Sequence, residues 1–307
     1  MRKTWLLVIL LSLVSTACRT DGTPARTTSE PEFPVTISSG DVDVTIEKRP
    51  ERIVSLSSTA TEILFAIEAG DQVEAVDDQS NYPTEAPKSD LSGFQPNVEA
   101  IAARDPDLVI YHFDPGDLAD SLEKLGIPAI MQPAAVQLEN TYQQITDLGR
   151  ATGNREAAED LVESMKKEIA EVLETVPKFD DPPTYYHELE QTYFTLTSKT
   201  FAGEIYSLLG LENIADAADT DGSGYPQLSA EYIIDADPDF IFLANTKCCA
   251  QSGETVAQRP GWGSMKAVTG DRVVELDDDI ASRWGPRVVD FLKAAAEAVS
   301  ELEPANA

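Results

Sequence analysis

The sequence predicts an α/β protein built as two similar lobes, and three observations carry that expectation. Asn97 to Ile110 reads NVEAIAARDPDLVI and Ser229 to Phe242 reads SAEYIIDADPDFIF. Setting Glu99 on Glu231 (231 − 99 = 132) aligns Glu-x-Ile-x-x-x-Asp-Pro-Asp, followed by three apolar residues, with a second copy of itself. A looser echo precedes each copy, Val54-Ser-Leu-Ser-Ser against Phe194-Thr-Leu-Thr-Ser. Between the copies lies a long amphipathic stretch suited to a single connecting helix. Two copies of one fold imply two lobes and a cleft between them, the kind of place ligands occupy.

The elements follow in order. Phe33–Ile37 and Asp41–Ile46 alternate apolar with polar around Ser38-Ser39-Gly40, which predicts a β-hairpin. Strand Ile53–Ser57 leads to a helix over Thr59–Ala69 that ends at Gly70. Strand Gln72–Val76, helix Asn97–Ala103, strand Leu108–Tyr111, helix Leu118–Leu125 and strand Ala129–Gln132 complete the first lobe. Strands alternating with helices imply parallel sheet. Over Asn154–Val176, the residues Ala158, Val162, Met165, Ile169, Val172 and Val176 recur every three or four positions. That is one apolar stripe on a helix about 34 Å long, stopped by Pro177, Pro182 and Pro183. The second lobe opens with strand Thr184–His187 and a helix near Gly203–Leu209. It continues through the second Glu-to-Asp-Pro-Asp unit and closes with an amphipathic helix over Arg287–Leu302.

The predicted organisation is therefore an export signal over 1–18, a tether and β-hairpin over 19–50, a first α/β lobe over 51–153, a connecting helix over 154–177 and a second α/β lobe over 178–307. Arg2 and Lys3 precede the apolar run Trp5–Val14, which is about half the roughly 20 residues a membrane span needs. Ser15-Thr16-Ala17-Cys18 resembles the lipobox of bacterial lipoproteins, where Cys18 becomes an acylated N-terminus; the alternative is an ordinary exported chain with an incidental cysteine. Arg19–Glu32, rich in Thr, Ser, Pro and charge, has little to bury and reads as a tether. The chain carries 54 acidic against 23 basic residues, net −31. Such a field excludes nucleic acid as a partner, because phosphate binding requires a cationic surface. It fits a heavily solvated surface adapted to salt, or docking onto a cationic partner.

Catalytic chemistry finds little support. The chain has two histidines, His112 and His187, in opposite lobes, so a three-histidine metal site is impossible. No nucleophile elbow, phosphate loop or dinucleotide fingerprint occurs, and no resident cofactor or catalytic residue is expected. Ligands of parallel α/β sheets sit beyond the strand C-terminal ends. The loops there carry Gln79, Phe94 and His112 in the first lobe, and Tyr193, Tyr225, Arg283 and Trp284 in the second. Singly each has a structural explanation; together they suit a flat ligand with a polar rim. Cys248 and Cys249 are adjacent. A trans peptide holds neighbouring Cα atoms about 3.8 Å apart, closer than most disulfides allow. In an exported chain a strained vicinal disulfide is still the expected state; a soft-metal site and a ligand contact are the alternatives, and a cell-surface thiol-redox or metal-handling enzyme using this pair is the competing functional reading.

Arg52-Ile-Val-Ser-Leu-Ser-Ser-Thr-Ala-Thr-Glu-Ile-Leu-Phe-Ala-Ile, then Asn81-Tyr-Pro, then the two Glu-to-Asp-Pro-Asp units, resemble the iron-complex and vitamin B12 solute-binding proteins of ABC importers. The resemblance runs from about Arg52 to the C-terminus. It implies two Rossmann-like lobes joined by one long backbone helix, the class III periplasmic-binding-protein fold, with limited hinge motion. It further implies capture of a chelated-metal compound (ferric siderophore, cobalamin or haem) and delivery to a permease dimer. In that family a glutamate on each lobe pairs with permease arginines, which the resemblance places on Glu99 and Glu231. Phe94 and Tyr225 fall where cobalamin-binding members carry stacking tryptophans, while His112 replaces another aromatic residue and Gln79 a tyrosine. Arg283 would contact a siderophore carboxylate or a corrin side chain, and His112 would ligate a metal centre.

Overall fold

A computed structural model of the chain describes residues 32–40 and 42–302. The expected export signal, Cys18, the tether through residue 31 and Asp41 in the hairpin turn lie outside the described residues.

The chain begins with an antiparallel hairpin of β1 (Val35–Ser39) and β2 (Val42–Ile46). The first lobe follows: β3 (Ile53–Leu56), α1 (Ser58–Ala66), β4 (Val73–Asp77), β5 (Lys88–Leu91), α2 (Val98–Ala102), β6 (Leu108–Tyr111), α3 (Leu118–Lys124), β7 (Ala129–Met131) and α4 (Leu138–Thr152). Helix α5 (Arg155–Thr175) leads into the second lobe: β8 (Thr184–Glu188), α6 (Phe201–Leu208), β9 (Glu212–Asn213), α7 (Ala230–Ala236), β10 (Phe240–Leu243), short helices α8 (Thr246–Cys249), α9 (Gly253–Ala257) and α10 (Lys266–Thr269), β11 (Val273–Glu275), α11 (Asp278–Ala281) and α12 (Val288–Ser300). Two parallel sheets result, β5-β4-β3-β6-β7 and β11-β10-β8-β9. Each is α/β and each reverses direction once, between β3 and β6 and between β8 and β10. Strands β3, β6 and β10 are buried along their whole length, as strands with helices on both faces must be.

The repeated motif has a physical reason that holds in both lobes. Asn97 and Ser229 cap α2 and α7 by accepting the N–H of Ala100 (3.0 Å) and Tyr232 (3.1 Å). The first aspartate of each Asp-Pro-Asp turns the chain out of its helix in the left-handed region, Asp105 at φ 51° and Asp237 at φ 44°. The second reaches the start of the neighbouring strand. Asp107 accepts the N–H of Glu51 (2.9 Å) and Arg52 (2.9 Å), and Asp239 that of Thr184 (2.9 Å). One tripeptide thus stops a helix and ties the following strand, β6 or β10, to its neighbour, β3 or β8.

Helix α5 spans 21 residues, about 31 Å, and buries Ala158, Met165 and Ile169, with Val162 and Val172 half-buried. It packs on α4 from the first lobe and α12 from the second, and Lys293 of α12 meets Glu168 at 2.7 Å. One apolar core runs continuously from Ile37 of the hairpin through α1, α4 and α5 to Tyr206, Phe242 and Phe291 in the second lobe. The outer face of each sheet has a smaller core of its own. No helix over 138–152 is predicted from the sequence, although Leu138, Tyr142, Ile145 and Leu148 recur every three or four positions. The apolar positions of α4 (Leu138, Tyr142, Ile145, Leu148) are interleaved with Thr and Gln, and its close approach to α5 rests on Gly149, where a Cβ would collide with Ala158. The hairpin is not an appendage of the tether, because Ile37 and Ile46 belong to the shared core. The second-lobe helix starts earlier than its apolar run suggests, at Phe201, because Thr200 caps it through the N–H of Gly203 (3.2 Å). No helix among the described residues is long and apolar enough to cross a membrane.

His187 of β8 is fully buried, with Nδ1 2.8 Å from the Tyr206 hydroxyl. Burial drives its pKa from 6.5 down to about 3. The unfolded chain therefore takes up a proton near pH 6.5 that the folded chain refuses, and stability falls as pH drops through that window. Between pH 7 and pH 5 this group alone costs about 2 kcal/mol. His187→Gln is expected to remove that part of the pH dependence, read from urea unfolding at the two pH values.

Candidate functional site

The reversal of strand order in the first sheet places the candidate site. Beyond the C-terminal ends of its strands, Ser57-Ser58-Thr59 follow β3, Asp77 and Gln79 end and follow β4, Phe94 follows β5 and His112 follows β6. The second lobe closes this crevice with Asp278, Asp279, Ser282, Arg283 and Trp284. Together they enclose an open-mouthed cavity of about 430 Å³ at the seam of the lobes, within the range that accepts small-molecule ligands. Five sequence-predicted residues, Gln79, Phe94, His112, Arg283 and Trp284, thus converge on one cavity. Tyr193 and Tyr225 do not line it. Tyr193 stacks on Trp262 at 5.8 Å, and Tyr225 stands half-exposed on a second-lobe loop. A larger groove, about 670 Å³, lies between β2 and α3 in the first lobe and shares no lining residue with the seam cavity.

The cavity wall is aromatic and acidic. Phe94 lies edge-on to His112 with centroids 5.2 Å apart, and Trp284 lies 6.4 Å from the same imidazole. Phe94 remains 57% exposed, a large apolar side chain with an uncovered face. His112 Nδ1 is 3.0 Å from the carbonyl oxygen of Leu56, a bond across the β3/β6 reversal. Asp77 is buried beneath them and accepts the Ser80 hydroxyl at 2.6 Å. Burial raises its pKa, an effect that Ser80 partly offsets. Burial also acts on Asp278 and Asp279, but here hydrogen bonds outweigh it. The backbone N–H groups of Cys248 and Lys247 hold Asp278, and Lys247, Arg283 and Asn81 hold Asp279, both below the ordinary carboxyl range.

Arg283 is not a free cation. Its guanidinium donates to Glu62 Oε1 (2.8 Å), Asp279 Oδ1 (2.9 Å) and the carbonyl of Gln79 (3.1 Å), and the residue is 9% exposed. Arg287 adds two bonds to the same carboxylate, Nε to Oε2 (2.8 Å) and Nη2 to Oε1 (2.6 Å), and lies over the Tyr82 ring at 4.2 Å. Glu62 belongs to the first lobe and both arginines to the second, so one buried carboxylate latches the lobes beside the cavity. Trp284 strengthens the seam, since its Nε1 donates to Gln144 (3.0 Å) and its carbonyl accepts from Thr141 (2.8 Å). Asp77 lies in the loop that sequence reasoning places beyond β4, whereas Asp278, Asp279 and the Glu62 latch were missed. The only signal was the run Asp277-Asp278-Asp279, and Glu62 lies 221 residues from Arg283.

At the matching reversal of the second sheet, between β8 and β10, the space is filled. Glu188, fully buried, receives Asn245 (2.9 Å) and two bonds from Arg259 (2.5 and 2.7 Å). Cys248 and Cys249 in α8 are joined by a disulfide. The N–H of Cys248 donates to Asp278 at 2.9 Å, which ties the pair to the cavity wall. Glu99 and Glu231 occupy the first turns of α2 and α7, equivalent places in the two lobes. Both are exposed, and neither makes an ion pair among the described residues.

Two α/β lobes bridged by one long helix, with a cavity at their seam, define a solute-binding architecture, and the chain belongs to the periplasmic binding protein family, which it matches over residues 53–280. It is 32% identical over 278 residues to the uncharacterized ABC transporter substrate-binding lipoprotein YvrC of Bacillus subtilis, covering 87% of this chain and 86% of that one. It is 30% identical over 279 residues to a cobalamin-binding protein of Halobacterium salinarum, covering 87% and 74%. Among solved structures, the periplasmic vitamin B12 binding protein BtuF of Vibrio cholerae superposes with a TM-score of 0.69 at 25% identity, covering 82% of this chain and 98% of that one. These relatives support the binding reading and lend nothing to a thiol-redox enzyme built on Cys248 and Cys249.

Removing the latch carboxylate leaves Arg287 without its carboxylate at the seam and Arg283 with Asp279 and the Gln79 carbonyl alone. Glu62→Ala is expected to cost about 3–5 kcal/mol, measured by urea unfolding, whereas Glu231→Ala on the exposed surface changes stability by less than about 0.5 kcal/mol.

Proposed function

We propose that this protein is the extracytoplasmic solute-binding component of an ABC importer, held at the membrane face by a lipid on Cys18. It captures a chelated-metal compound of the cobalamin class in the inter-lobe cavity and delivers it to the permease dimer through Glu99 and Glu231. The observation that carries this reading is the cavity itself, formed where loops of both lobes meet, with an uncovered aromatic face at Phe94.

The charge of the wall favours this ligand class over its competitors. The cations near the cavity are already engaged: Arg283 and Arg287 by Glu62, and Lys247 by Asp277 (2.7 Å) and Asp279 (2.9 Å). Asp279 is shared by Lys247 and Arg283, which leaves on the wall the carboxylate of Asp278, bonded to backbone N–H groups and the Thr246 hydroxyl. A polycarboxylate siderophore or the propionates of haem would bring negative charge against it with no unpaired cation lining the cavity among the described residues. A corrinoid presents an amide rim and carries no such surplus. The names of the cobalamin-binding and vitamin B12-binding relatives point the same way. For docking, an exposed carboxylate on each lobe is suited to charge-assisted bonds with a pseudo-symmetric pair of arginines.

Purified protein titrated with cyanocobalamin, haemin and a ferric siderophore is expected to bind the corrinoid most tightly; failure to bind any of the three refutes the reading. Phe94→Ala is expected to weaken corrinoid binding by about 3- to 10-fold, the worth of one aromatic contact. Reversing both docking acids (Glu99→Lys with Glu231→Lys) should leave corrinoid affinity intact in calorimetry and abolish uptake of labelled cobalamin by cells.

A further inference from the structure

We infer that Cys248–Cys249 is a redox-modification site that sets the grip of the cavity: a dithiol opens the pair, the second-lobe wall loosens, and affinity for the captured compound falls. The inference rests on the solute-binding reading above and adds to it a control on that same site. The pair is modified in place and turns over no substrate.

The second-lobe wall is braced by α8. Asp278 and Asp279 line the cavity from α11, a helix with no buried residue of its own. Asp278 Oδ1 accepts the Thr246 N–H (2.7 Å) and hydroxyl (2.8 Å), and its Oδ2 accepts the N–H of Lys247 (3.0 Å) and Cys248 (2.9 Å). Lys247 Nζ adds Asp277 (2.7 Å) and Asp279 (2.9 Å), and Asp279 in turn holds Arg283 of the inter-lobe latch. Helix α8 itself has little anchorage, since it spans only Thr246–Cys249 and buries none of these residues. The chain leaves it through Ala250 at φ 52°, a left-handed conformation that costs any residue with a Cβ free energy and persists only where its neighbours impose it. The disulfide is the covalent neighbour. It closes a small ring through the peptide between Cys248 and Cys249 and so fixes the backbone at the end of α8. Bonds from the side chains of Gln191 (3.2 Å) and Gln251 (3.0 Å) to the Cys249 carbonyl add to it. Opening the ring frees the backbone beside the very amides that hold Asp278.

The pair is also accessible. Cys248 is exposed, so a thiolate can reach its Sγ. Attack there breaks the bond between the two Sγ atoms, forms a mixed disulfide on Cys248 and releases Cys249 as a thiolate. A monothiol is expelled again, because the adjacent Cys249 attacks the mixed disulfide intramolecularly. A dithiol competes with that reversal by closing a ring of its own. Its second sulfur attacks the first, Cys248 leaves as a thiolate, and both cysteines take up protons. An electron pair passes from the dithiol to Cys248–Cys249, and the dithiol ends as a disulfide.

The test compares the folded chain before and after dithiothreitol, removed under nitrogen, by titration with cyanocobalamin, haemin and a ferric siderophore and by amide hydrogen exchange. Reduction should weaken binding of whichever compound the oxidised chain takes by about 3- to 10-fold, the worth of one hydrogen bond lost from the wall. It should speed exchange of the Lys247 and Cys248 amides at least about tenfold while the β10 amides stay protected. The double variant Cys248→Ser with Cys249→Ser should match the reduced parent in both readouts and ignore dithiothreitol. Glutathione at the same thiol concentration should leave the parent closed; opening by glutathione overturns the dithiol requirement. If the oxidised and reduced parent bind within about twofold of each other, the control is refuted and the solute-binding reading stands. If no compound binds, that reading fails and exchange alone decides: faster amides uphold the redox site, unchanged amides refute it.

Discussion

The arrangement depends on one buried carboxylate. Glu62 sits in α1 of the first lobe, 3% exposed, and accepts from Arg283 and Arg287 of the second. A carboxylate so far from water is tolerable only when paired and fully hydrogen-bonded, and the same holds for the guanidinium of Arg283. Each lobe therefore supplies what the other cannot leave alone. The latch lies beside the cavity, so the lobes are held together where the solute would enter.

Around that latch the seam is crowded rather than open. Trp284 is tied to α4 through Gln144 and Thr141, Glu204 of α6 accepts the N–H of Leu138 (2.6 Å), and α5 shares one apolar core with both lobes. A rod braced on both sides resists bending in the way a short two-strand hinge does not. Small relative motion of the lobes is the expected consequence, and Phe94 and Gln79 are exposed at the mouth of the cavity.

Duplication supplied two crevices and the chain uses them differently. In the second lobe, Glu188, Arg259 and Asn245 occupy the place where strand order reverses, with Arg259 resting on the Trp262 ring at 4.6 Å. In the first lobe the same place holds His112, Asp77 and the small residues Ser57 and Ser58 around an open cavity, with Gly93 packed closely against Asp77 and the Leu56 carbonyl. The halves remain equivalent at Glu99 and Glu231, each exposed in the first turn of its helix, and diverge at the crevices.

Local patterns declared much of the framework. The two Asp-Pro-Asp units, the alternation of strands and helices, the apolar stripe of α5 and that of α12 depend on neighbours within a few residues, and each can be read along the chain. The apolar spacing of α4 was legible too and went unpredicted; its contact with α5 was not, because Gly149 draws its value from the Ala158 it touches. Convergence of Gln79, Phe94, His112 and Trp284 followed from the rule that loops after parallel strands meet at one edge. The sequence by itself determined that there are two like lobes, a rod between them and aromatic loops at the strand ends. Tertiary structure alone decided that Arg283 belongs to Glu62, that Asp77, Asp278 and Asp279 make the wall acidic, and that Tyr193 and Tyr225 stand elsewhere. Those outcomes join residues more than two hundred positions apart, and with 54 acidic side chains in the chain no spacing rule can tell which carboxylate a buried arginine will meet.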